Sequence, residues 1–269
     1  MFKNSLFLFV SIMFAFSCNN EIKPPLKNSI TPPKAEKSPV SFKKFNDIRI
    51  DDYYWLKERD NPEVIDYLER ENDYYEKMTS HTLDLQDKLF NEIKNKIKED
   101  DESVPYFLNG YWYKTKYEEG LSYPIYTRYK DSLNNKEEIL FDCNILAKKH
   151  DYFNLSNFQI SPDNKIVAYS TDIVSRRLYT IQFKNLETGE IYNDKIINSS
   201  GSFAWANDNL TLFYTNRDVN TLRNDKIFKH TLNSNYENDE LVYFEKDETF
   251  YANVSKSKSK KYIIISSYS

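Results

Sequence analysis

Covalent catalysis by a serine needs its hydroxyl beside a base, and a strand-to-helix elbow needs glycines two residues to either side. The 269-residue chain has four glycines: Gly110, Gly120, Gly189 and Gly201. Gly201 precedes Ser202, but no glycine stands two positions before or after that serine, so no G-x-S-x-G is present. His81, His150 and His230 fall in segments patterned as helix, loop and strand, and none stands with a Ser and an Asp in a recognisable order. Each is read as a surface or packing residue, and no catalytic residue is assigned. The acids of "KEDDES" (Lys98 to Ser103) lack the glycine turn and the spacing of a calcium loop, so they read as a solvated loop. No glycine-rich phosphate cradle exists. No metal, nucleotide or other cofactor site is therefore assigned. "KSKSKK" (Lys256 to Lys261) reads as an exposed turn between strands. With a net charge of −4 and no basic stripe, nucleic acid is not an expected partner.

The elements that would position any site are mostly strands. The 22 Tyr and 18 Phe suit half-buried β surfaces. "YFLNGYWYKTKYEEGLSYPIYTRYK" alternates around turns at Asn109-Gly110 and Glu119-Gly120, and Asn-Gly between aromatic alternations is a strong hairpin signal. The pattern then repeats. "NFQISPDNKIVAYST" and "SFAWANDNLTLFYTN" share an aromatic opening, an Asp/Asn turn and an alternating apolar run, and "FYANVSKSKSKKYIIISS" begins another copy. Phe158, Phe203 and Tyr251 open these copies, 45 and 48 residues apart. A repeat of about 40–50 residues with about four strands is the signature of β-propeller blades. The expected fold is mainly β: a partial β-propeller of about three blades and part of a fourth, preceded by an α-helical hairpin. The blades are placed at about 104–150, 151–197, 198–246 and, incomplete, 247–269.

Upstream, residues 46–103 carry helix-period patterning. Asp60 or Asn61 offers an N-cap and Pro62 the first helical position. Val64, Ile65, Leu68, Tyr75 and Met78 lie near one face, and Leu85, Leu89, Ile93 and Ile97 form a second stripe. Residues 19–45, rich in Pro, Lys, Asn and Ser, read as a linker. The first 18 residues, "MFKNSLFLFVSIMFAFSC", have a Lys near the start and an apolar run too short to span a bilayer. They resemble a bacterial lipoprotein signal in which Cys18 becomes the lipidated N-terminus; plain cleaved export is the alternative. Cys143 is then the remaining thiol and reads as a small buried hydrophobe.

Several long blocks carry a further resemblance: "RIDDYYWLKERDNPEVIDYLERENDYYE", "LFNEIKNKIKEDDESVPY", "GYWYKTKYEEGLSYPIYTR", "RRLYTIQFKNLETGE" and "GSFAWANDNLTLFYTNRD". From about Ile48 onward the chain resembles the N-terminal part of the prolyl oligopeptidase family of serine peptidases. "RRLYTIQFKNLETG" and "TLRNDKIFKHTL" point to the oligopeptidase B branch. The resemblance implies a seven-bladed propeller capping an α/β-hydrolase domain that carries Ser, Asp and His. It also implies short peptides as substrates, cleaved after Lys or Arg. The hydrolase domain is then a partner, missing or on a separate chain, and the membrane is a second partner through Cys18. Three readings stand: the N-terminal portion of an exported peptidase in a shortened gene, half of a split enzyme, or a non-enzymatic propeller lipoprotein binding a partner at the bacterial cell envelope. On each reading this chain alone is expected to be inactive.

Overall fold

The computed structural model describes residues 30–269. These fall into two compact units, one reaching Ile97 and the other beginning at Lys98.

The first unit opens with a hairpin of β1 (Val40–Lys44) and β2 (Asp47–Asp51). Phe45 and Asn46 make its two-residue turn with φ of 50° and 65°, both in the left-handed region. The expected linker therefore stops short of residue 45, because "VSFKK" pairs with "DIRID" in antiparallel register. Helix α1 (Pro62–Thr79) starts as its sequence specifies: the Asn61 side chain accepts from the Glu63 N–H, and Pro62 takes the first position, where no amide donor is needed. Helix α2 (Leu83–Lys94) ends three residues before Ile97, which follows in a turn. Only Val64 of the two helices is buried; Leu85, Leu89 and Ile93 are about half exposed or more.

The second unit is built of blades. β3 (Asp101–Glu102) and β4 (Tyr106–Leu108) both pair with β5 (Tyr111–Tyr117), followed by β6 (Ile125–Lys130) and β7 (Glu137–Asp142). The β4–β5 turn is Asn109-Gly110, with φ of 50° and 82°. A short helix, α3 (Cys143–Ala147), is capped by the Asp142 carboxylate, which accepts from the Asn144 and Ile145 amides. The second blade is β8 (Asn154–Ile160), β9 (Ile166–Asp172), β10 (Tyr179–Asn185) and the first half of β11 (Ile191–Trp205). The third is the second half of β11 with β12 (Thr211–Arg217), β13 (Asn224–Thr231) and β14 (Glu240–Phe244). The fourth, a two-stranded sheet, is β15 (Tyr251–Lys256) and β16 (Ile263–Tyr268).

β11 joins two blades in one strand. Up to Ser199 it pairs with β10, and from Ser199 onward with β12. The pairing is irregular between Ser199 and Phe203, where Gly201 has φ of +86°. Blade faces bury against one another as period-2 alternation requires. Val167 and Tyr169 of β9 join the cluster with Tyr113, Phe141 and Phe153, while Ile166 and Ala168 join the cluster with Phe183, Phe203 and Trp205. A third cluster, Ala204, Ile227, Ala252 and Val254, seats the last hairpin on the third blade. Burying both faces of β9 fits the unbroken apolar run "IVAY".

Candidate functional site

The first strands of the four blades, β4, β8, the second half of β11 and β15, surround a cavity of about 800 Å3. Each is the strand that follows an aromatic opening or precedes an Asp/Asn-type turn, so the repeat itself brings them together. Polar rungs tie neighbouring first strands. Asn157 Nδ2 donates to Gly201 O at 3.1 Å and Gln159 Nε2 to Phe203 O at 2.6 Å. Trp205 Nε1 donates back to Gln159 O at 3.0 Å, and Ser202 Oγ donates to Val254 O at 3.1 Å. Ser202 is thus a rung between blades and has the role of a structural hydroxyl.

At one end of the cavity the turns of the four blades hold one another. Asn164 Nδ2 donates to Asn109 O at 3.1 Å, the Asp163 amide to Asn209 Oδ1 at 2.9 Å, and Asn207 Nδ2 to Lys260 O at 2.9 Å. Lys260 Nζ donates to Asn109 Oδ1 and closes the circuit from the fourth blade to the first. The repeated Asp/Asn turns therefore do more than reverse the chain; they form a collar.

The walls and the collar differ in chemistry. Tyr106 and Phe158 supply aromatic surface, and Lys256 at the end of β15 and Lys258 and Lys260 in the turn after it supply three cations. Among the described residues no carboxylate lines the cavity. Partial burial, and then the neighbouring Lys260 charge, hold the Lys256 ammonium below the ordinary lysine pKa; Asp208 opposes them more weakly. Asp208 is itself engaged by Thr211, through its amide at 2.9 Å and its hydroxyl at 2.6 Å. "KSKSKK" is thus the expected turn between strands, and it also borders the cavity, which its sequence alone does not disclose.

A second polar cluster lies between the second and third blades. His230 is fully buried; its Nε2 lies 3.2 Å from Asp194 and its Nδ1 2.9 Å from Asp239. Tyr214 Oη donates to Asp239 at 3.0 Å, and Phe183 stacks on the imidazole at 5.6 Å between centroids. Burial pulls the His230 pKa down, but the hydrogen bonds and charges of Asp239 and Asp194 outweigh it, so the pKa is raised. With a carboxylate at each ring nitrogen, the ring donates to both only as the imidazolium. The hydrogen bonds of His230 to Asp194 and Asp239 clamp the second and third blades together.

The other residues singled out from sequence stand apart from both places. His81 and His150 are exposed, as are the acids of "KEDDES". Among the described residues no group of three or more His, Cys, Asp or Glu is arranged to hold a metal. Cys143 is buried at 1% exposure, and burial pushes its thiol pKa up to about 12, as suits a packing residue. Cys18 lies outside the described residues, and among those described no helix is long and apolar enough to cross a membrane.

Comparison with known proteins places this architecture. Residues 32–269 match the family model described as prolyl oligopeptidase, N-terminal beta-propeller domain. Dipeptidyl aminopeptidase BI of Pseudoxanthomonas mexicana is 36% identical over 259 residues, covering 90% of this chain and 36% of that protein. Protease 2 of Moraxella lacunata is 34% identical over 244 residues, covering 88% of this chain and 35% of that protein. The structure of oligopeptidase B from Leishmania major superposes with a TM-score of 0.80 at 28% identity, covering 90% of this chain and 36% of that one. The chain thus spans about a third of the length of the relatives it matches. It belongs to the prolyl oligopeptidase family, of which it carries the N-terminal β-propeller region.

Proposed function

We propose that the chain is the propeller-bearing portion of an exported, oligopeptidase B-like serine peptidase that cleaves short peptides after Lys or Arg. The observation that carries this reading is the likeness to oligopeptidase B over 90% of the chain, helices and blades together. Both bacterial relatives are named as peptidases. Within the 269 residues no serine elbow exists, so the bond-breaking groups belong to a hydrolase portion, and the propeller's part is to handle the peptide. An antibody raised against residues 104–269 tests this. Material it captures from the source cells should hydrolyse an Arg-amide peptide faster than a Pro-amide peptide, and a serine-directed inhibitor should abolish the activity. Capture of the chain with no such activity, or with Pro-amide preferred, would overturn the assignment.

Export through the first 18 residues and acylation at Cys18 belong to the same proposal. Each buried CH2 of an acyl chain contributes about 0.8 kcal/mol of membrane affinity. Cys18→Ala should therefore move the protein from the membrane fraction to the soluble fraction, and unchanged fractionation would argue against the anchor.

A further inference from the structure

We propose that the cavity between the first strands binds the free carboxylate end of a short peptide, with the carboxylate at the lysine collar and the neighbouring side chains on the aromatic walls. This deepens the proposed function: it takes peptide handling from that reading and names the end of the peptide that is read. In a chain of net charge −4, the cavity is lined by three lysines and, among the described residues, no Asp or Glu. Of the three, Lys260 is held by Asn109, whereas the Lys256 and Lys258 ammonium groups make no hydrogen bond or close ion pair among the described residues, and Asp208 acts on Lys256 without touching it. Lys256 is part-buried, which makes its unpaired ammonium costly. A ligand carboxylate would supply the direct contact that Asp208 does not make, and a charge-assisted hydrogen bond is about twice as strong as a neutral one.

The neutral groups around the lysines fit the same ligand. Asn109 and Asn207 already spend hydrogen bonds on the collar, which fixes the turns before any ligand arrives. Tyr106, Leu108 and Phe158 offer apolar surface beyond the collar, suited to the side chains of a peptide's last residues. A cavity of about 800 Å3 lies within the range that holds a ligand of a few residues. A bare anion would use the collar and leave the aromatic walls empty.

The test is calorimetric titration of the purified 269-residue chain with the tetrapeptide Ala-Leu-Phe-Ala as free acid and as C-terminal amide, with acetate and octanoate as separate arms. The free acid should bind about tenfold more tightly than the amide, and added salt should narrow the gap. Lys256→Gln should bring the acid down to the amide's affinity, Lys256→Arg should restore the preference, and Lys260→Gln should reduce it if the first variant fails to fold. Equal affinity of acid and amide would overturn the proposal. So would a preference that survives Lys256→Gln, or octanoate or acetate binding as tightly as the peptide. Because binding is read on the chain alone, failure here leaves the peptidase reading standing, and failure of the capture assay leaves this measurement intact.

Discussion

Two residues show how much single positions decide. Gly201 sits where β11 leaves one blade and enters the next, at φ of +86°. A Cβ built there would lie 2.6 Å from Ser156 Oγ and 3.2 Å from the Tyr179 ring. The conformation and the space both demand glycine, so Gly201→Ala should cost about 2 kcal/mol in urea unfolding of the chain. A loss under half of that would mean the crossing relaxes freely. His230 was legible only as a packing histidine; its partners lie 36 residues upstream and 9 downstream, and no local spacing discloses such a clamp. Its folded pKa is raised, so its contribution is complete below the unfolded value near 6.5 and is lost as pH rises through the folded value. Thermal unfolding should show the stability falling as pH rises from about 6.5, and His230→Asn, which leaves two buried carboxylates, should cost about 3 kcal/mol and flatten that slope. A slope unchanged in the variant would remove His230 from the account.

At the scale of elements, the strands were the most legible part and the crossings the least. Tyr111–Tyr117 follows its aromatic alternation to the residue, and the Asn109-Gly110 turn takes the positive φ that this pair favours. "EIYNDKI" and "SFAW" look like separate strands because their partners change, yet one strand runs through both. Period alone carries no information on which neighbour a strand pairs with. The helical stripe was read through Ile97, but the backbone leaves the helix after Lys94, and its apolar residues remain exposed. The last hairpin is a comparable case. Among the described residues β16 pairs only with β15, and Ile264, at 43% exposure, lies on the outer face of that two-stranded sheet. Unpaired strand edges template association, so Ile264→Lys should lower self-association of the purified chain in size-exclusion chromatography with light scattering. A stable monomer at micromolar concentration with or without the substitution would show that this edge is not sticky.

At the scale of the whole molecule, the repeat period, the aromatic openings and the Asp/Asn turns made the blades legible, since each blade must bury its faces on the next. The cavity was not legible, because it is made by four strands drawn from residues 106 to 260 and belongs to no single motif. The lysine turn shows the difference: its sequence gives an exposed basic turn, and only the collar formed with Asn109 and Asn207 gives it a place beside an aromatic-walled space. The central claim is a division of labour, with a peptide-handling propeller in this chain and the nucleophile elsewhere. It is tested most directly by incubating the purified 269-residue chain with a fluorogenic Arg-amide peptide, with and without a fluorophosphonate. The account predicts no hydrolysis above background and no covalent labelling of the chain, and inhibitor-sensitive cleavage by the chain alone would contradict it.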